Sequence, residues 1–153
     1  MKIPAVRSFL WIVAVMLLGC LPAAGAADAP WLTDYHQALE QAKAEKKNVL
    51  LDFTGSDWCP VCIDMDKEVF DKPQFKDYAS KNLVLLRLDF PVSHPLPQKL
   101  QDQNNSLQEK YGTGDMFPVF ILVDKNGKVL VKYVGRVEGG PAGFIAMIEG
   151  KKA

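Results

Sequence analysis

Four runs of apolar and β-branched residues, NVLLDFT (48–54), NLVLLRLDF (82–90), VFILVD (119–124) and KVLVKYVG (128–135), are separated by stretches of helical periodicity. Few folds accommodate that alternation. NVLLDFT is apolar at odd and even positions alike, so it predicts a central strand buried on both faces. Helices are predicted over 34–46, over CPVCIDMDKEVF (59–70), and over 72–81, 99–111 and 140–149, the last weakened by Gly140 and Gly143. Thr33 is placed to cap the first of them and Asp71 the third, while DAPW (28–31) reads as a short tether. The prolines of PVSHPLP (91–97) exclude helix and central strand there, and KNG (125–127) predicts a hairpin turn. Strands that alternate with helices imply parallel neighbours, and the hairpin adds an antiparallel pair. The class is therefore α/β, with a central four- to five-stranded mixed sheet and helices on both faces.

Residues 1–27 stand outside this pattern. Lys2 and Arg7 precede FLWIVAVMLLG (9–19), an uncharged apolar run too short to span a bilayer comfortably, which predicts an export signal. Two cuts compete. LLGC resembles a lipoprotein cleavage site, which would leave Cys20 as a lipid anchor; AGA (24–26) or ADA (27–29) fits an ordinary small-x-small cut. Either leaves residues 28–153 as one domain, long enough to bury a core without a disulfide staple. With the leader removed, acids outnumber bases by two. That balance offers nothing to a nucleic acid or an anionic membrane surface.

The two cysteines beyond the leader fall in GSDWCPVCIDMDKEVF (55–70), where the first long strand ends and a helix starts. Open α/β sheets place active sites there. A pair closing so short a segment restricts the unfolded chain little, so it makes a poor staple. Zinc would need two further ligands, yet there is no second CxxC, and His36 and His94 lack metal-ligand spacing. No metal and no cofactor is expected. Thiol exchange fits better: it needs one exposed, partly ionised thiol, a role for which amides at a helix start place Cys59, and Cys62, one turn on, is shielded and placed to resolve a mixed disulfide. Pro60 stiffens the turn between them without costing a helical hydrogen bond, and Val61 adds neither charge nor donor. Asp52 sits in an apolar strand, where a carboxylate without a role is costly to bury. Asp64, Asp66, Glu68 and Asp71 read as a solvated helix face.

LLDFTGSDWCPVC, followed by DMDKEVFDKPQF and later by FPVFILVDKNGKV, resembles the thioredoxin superfamily. It is similar in particular to exported bacterial thioredoxin-like proteins and to the C-terminal periplasmic domain of the transmembrane disulfide reductase. The resemblance covers about residues 31–150. It implies a thioredoxin-like fold, with Cys59 as nucleophile, Cys62 as resolving cysteine, Trp58 as the tryptophan before the nucleophile, and Asp52 as the buried acid that handles the resolving thiol's proton. It also implies that Phe117 and Pro118 form a cis-proline loop against the disulfide, whose backbone pairs with substrate, and that Gly135 lets the groove approach. Two departures stand out. One extra residue separates Asp52 from Cys59, so the GSD turn must bulge; and Pro-Val fills the CxxC, with no histidine at 61 to stabilise the thiolate.

These readings predict an envelope-located, periplasmic thiol-disulfide oxidoreductase, expected as a monomer, that reduces protein disulfides and is recharged by a membrane electron donor. Its substrates are expected among cysteines kept reduced for cytochrome maturation, or among misoxidised proteins. Running the same chemistry backward makes it a disulfide-forming oxidase or an isomerase; a non-catalytic binding module or chaperone is the third reading.

Overall fold

The computed structural model describes residues 29–150. The predicted signal at 1–27 and the anchor at Cys20 lie outside these residues. Among the described residues, no helix is long and apolar enough to cross a membrane. The elements run β1 (Trp31–Leu32), α1 (Tyr35–Glu45), β2 (Asn48–Thr54), α2 (Pro60–Met65), a π-helical turn (Asp66–Phe70), α3 (Pro73–Asn82), β3 (Leu83–Asp89), α4 (Gln98–Tyr111), β4 (Val119–Val123), β5 (Val129–Val134) and α5 (Gly140–Ile148). Five strands form one mixed sheet in the order β1-β3-β2-β4-β5. β2 pairs parallel with β3 and antiparallel with β4, and β4–β5 is the expected hairpin. Its turn is closed by the Asp124 carboxylate, which accepts the Asn126 and Lys128 amides, and by Gly127 at φ 80°.

The sheet is apolar on both faces because each is roofed. On one, Leu50, Leu85 and Phe120 lie under Met65, Val69, Phe75, Phe144 and Ile148. Phe70, Phe75, Phe120 and Phe144 stack edge to face or tilted, with centroids 4.9–5.7 Å apart. On the other, Val49, Leu51, Phe53, Leu86 and Ile121 meet Ala38 and Ala42 of α1 and Leu107 of α4. Each large side chain so buried contributes about 1.5–3 kcal/mol against conformational entropy. β2 supplies both faces, as its unbroken apolar run predicts. The two-sided core fixes the end of β2 rigidly, and the cysteines follow directly from it.

Three local expectations are corrected. Trp31 is not part of a tether: Trp31 and Leu32 pair parallel with Leu85 and Leu86, forming the fifth strand. The cap of α1 is Asp34, whose carboxylate accepts the Gln37 amide at 2.9 Å, and not Thr33. At α3 the capping position is Lys72, with no side-chain bond; Asp71 instead closes the π-helical turn, its amide donating to the Asp66 carbonyl while the Lys72 amide donates to that of Val69. A wide turn of that kind holds one more residue than α-helical spacing allows, so the α3 cap falls one residue later than expected.

Candidate active site

β2 ends at Thr54, and the next residues fold back before α2 starts. The Trp58 and Cys59 amides both donate to the Gly55 carbonyl, at 3.3 and 2.9 Å. Cys59 is the capping residue of α2, its sulfur accepting the Cys62 amide at 3.2 Å. Pro60 occupies the first helical position, where no amide is needed. Cys59 and Cys62 are joined as a disulfide, with Cα atoms 5.3 Å apart. The expectation of an open Cys59 sulfur is corrected here: the residue is only 5 % exposed and Cys62 is buried as well. In this disulfide form the Cys59 sulfur is bonded to Cys62 Sγ and accepts the Cys62 amide at the helix start.

Aromatic rings border the pair. Trp58 is 44 % exposed, and its Nε1 donates to the Phe90 carbonyl at 2.7 Å. Its ring meets Phe117 edge-on at 5.3 Å, and Phe117 meets Phe90 at the same distance. Gly55 is required by this placement, since a Cβ there would lie 2.4 Å from the indole. The Phe117–Pro118 bond is cis, as the resemblance implies, and the Pro118 carbonyl accepts the Gly135 amide at 2.8 Å. The extra residue in the GSD turn is absorbed by two tethers. Ser56 donates through amide and hydroxyl to Asp89, and Asp57 accepts the Val92 and Ser93 amides and the Ser93 hydroxyl. Those donors hold the Asp57 carboxyl down at about 2.

Asp52 lies beneath this end of the sheet, only 2 % exposed, in register with Arg87 on β3 and Phe120 on β4. Burial pushes its carboxyl up to about 7, against the pull of Arg87. Arg87 Nε stands 3.4 Å from Asp52, its Nη2 is bonded to Asp66, and its guanidinium lies over the Trp31 ring at 4.6 Å. Asp66 is likewise raised by burial. Thus the supposed solvated acidic face is partly engaged: Asp66 holds Arg87, and Asp64 and Glu68 hold Arg136, the residue after Gly135. Arg87 and Asp66 were missed by sequence reasoning. The one signal for Arg87 is that it is the lone basic residue in NLVLLRLDF.

A disulfide at a helix start, bordered by an aromatic cluster that includes the residue before a cis-proline, is the equipment of a protein that exchanges thiols. Among the described residues, no group of three or more His, Cys, Asp or Glu side chains is placed to hold a metal. Residues 30–125 match the family described as thioredoxin-like, and the chain belongs to that family. It is 34 % identical to the disulfide bond reductase DsbH of Chlamydia pneumoniae over 81 % of this chain and 73 % of that protein. A solved DsbH oxidoreductase superimposes with a TM-score of 0.74 at 32 % identity, over 81 % of this chain and 84 % of the other. The oxidised C-terminal domain of DsbD from Neisseria meningitidis shares the fold, with a TM-score of 0.53 at 20 % identity over 76 % and 91 %. The Cys59–Cys62 pair is therefore redox-active, the activity is thiol-disulfide exchange, and the location is exported, periplasmic or membrane-associated.

Proposed function

We propose that the chain is a reductase of protein disulfides, working outside the cytosol. The observation that carries this is the position of Cys59 Sγ, which accepts the Cys62 amide at the first turn of the helix. A sulfur that already accepts an amide hydrogen is better suited to carry negative charge. In the reduced protein the Cys59 thiolate attacks one sulfur of a substrate disulfide. A mixed disulfide forms and one substrate thiolate leaves, taking up a proton. Cys62 then loses its proton to Asp52 and attacks the Cys59 sulfur, expelling the second substrate sulfur as a thiolate that takes that proton back from Asp52. Two electrons have passed to the substrate, and the Cys59–Cys62 disulfide remains. Asp52, raised to about 7, is matched to accepting and returning a proton near neutrality. Trp58, Pro60, Phe117 and Pro118 shape the site around that exchange.

The reductive direction is supported by the name of the Chlamydia pneumoniae relative and by Val61, which brings no charge to stabilise a thiolate further. Recharging the pair needs a dithiol donor. A membrane protein of the DsbD kind is the donor we favour, since DsbD proteins are among the relatives over part of this chain. The protein acts as a monomer, and a cut before Cys20 would give it a lipid anchor. Cysteines kept reduced for cytochrome maturation are one substrate class for such a reductase, misoxidised proteins the other. Two experiments test the reading. The Cys62→Ala variant accumulates mixed disulfides at Cys59 when mixed with insulin, and equilibration with glutathione places the pair nearer thioredoxin than the strong oxidants. A potential as oxidising as theirs would reverse the direction.

A further inference from the structure

The large apolar side chains exposed among the described residues fall into two groups. Val129, Leu130 and Val134 lie along β5 at the sheet edge; of the others, Trp58 precedes Cys59, Val92 is tied through its amide to Asp57, and Met116 precedes Phe117, whose ring meets Trp58. Val92 is the most exposed of all, at 77 %. It sits in the PVSHPLP segment, which takes no part in the exchange steps proposed above. That segment is nevertheless held: the Asp57 carboxylate, two residues before Cys59, accepts the amides of Val92 and Ser93 and the Ser93 hydroxyl. Its base is fixed by Trp58, whose indole donates to the Phe90 carbonyl. Thus the extra residue of the GSD turn ties a proline-rich loop to the redox centre. Residues 90–98 carry no acid and no base except His94.

We infer that this loop is a docking wall for the protein substrate, and that it selects cysteines flanked by apolar, uncharged residues. The inference rests on the exchange reading of the same site and adds a specificity to it. Exchange at Cys59 lays a polypeptide across the disulfide, beside which the rings of Trp58, Phe117 and Phe90 are in contact, with exposed Met116 one residue before Phe117 and exposed Val92 two residues after Phe90. The occupant is therefore an extended substrate segment whose side chains next to the reacting cysteine are aliphatic or aromatic. An exposed apolar rim with fixed backbone supplies contact area at small entropic cost. Asp57 provides the fixing: a carboxylate that accepts three donors from one loop leaves it little freedom.

The test compares two disulfides in the full chain. Insulin is the protein probe, and bis(2-hydroxyethyl) disulfide is a probe too small to reach the loop. For Val92→Asp the ratio of insulin rate to small-disulfide rate falls about tenfold, as expected when one buried valine contact is replaced by a charge. Asp57→Ala lowers the ratio in the same direction and speeds hydrogen exchange at the Val92 and Ser93 amides. Leu130→Asp, on β5, leaves the ratio at its original value. A ratio unaltered in both Val92→Asp and Asp57→Ala overturns the docking wall. Loss of reduction of both disulfides by the unmodified protein would instead overturn the exchange reading.

Discussion

Arg87 Nε lies 3.4 Å from the Asp52 carboxylate without donating a hydrogen bond to it, while the same guanidinium is bonded to Asp66. One cation is divided between two acids. Asp52 gets too little of it to offset the cost of burial, which is why its carboxyl rises from 3.8 to about 7. In the unfolded chain Asp52 ionises at its ordinary value. Between these limits the unfolded state releases the proton and the folded state keeps it, so stability is full at low pH and falls as pH rises through about 7.

Asp52→Asn has no such proton to lose. We predict that urea unfolding between pH 4 and 8 finds the variant's stability flatter with pH than that of the unmodified protein. Above neutrality the variant is the more stable, by about 1.4 kcal/mol for each unit of the lost shift. Parallel pH slopes for the two proteins would remove Asp52 from the proton-handling role.

Gly55→Ala tests the aromatic border. The added methyl would meet the Trp58 ring at 2.4 Å, so the indole must swing away from the Phe90 carbonyl and from Phe117. We expect a red-shifted tryptophan fluorescence component, a loss of about 1–3 kcal/mol, and slower insulin reduction. Unchanged fluorescence would mean that the turn absorbs the methyl without moving Trp58.

Gly143 looks in the sequence like a weak point of the last helix. The structure gives it a reason: a Cβ there would lie 2.0 Å from the Glu138 carbonyl oxygen, a backbone atom that cannot step aside. Helix propensity favours alanine by about 1 kcal/mol, yet overpacking of this kind costs about 1–3 kcal/mol or more. Gly143→Ala is therefore predicted to lower the thermal midpoint despite its better propensity. A raised midpoint would show that the 135–139 loop yields easily.

Much of the architecture is readable from NVLLDFT and the runs beside it, because a central strand buried on both faces carries apolar residues at odd and even positions alike. β1 is not readable. Two residues have no period, and Trp31 and Leu32 become a strand only because Leu85 and Leu86 are there to pair with them. The π-helical turn at Asp66–Phe70 likewise leaves the apolar spacing looking α-helical, while moving the start of α3 by a residue. At the site, Cys59 and Cys62 announce themselves by spacing. Arg87 does not, since its meaning comes from the β2–β3 register that sets it opposite Asp52. Asp57 looks like an insertion in the turn; only the folded loop reveals its partners at 92 and 93.

Exchange at this site turns on the reactivity of one thiol in the reduced protein. Iodoacetamide labelling across pH, read by mass spectrometry at each cysteine, measures it directly. The account predicts that Cys59 is modified first, with an apparent pKa well under the 8.5 of a free cysteine, and that Cys62 stays protected. Labelling of Cys59 only above that value, or equal labelling of the two, would contradict it.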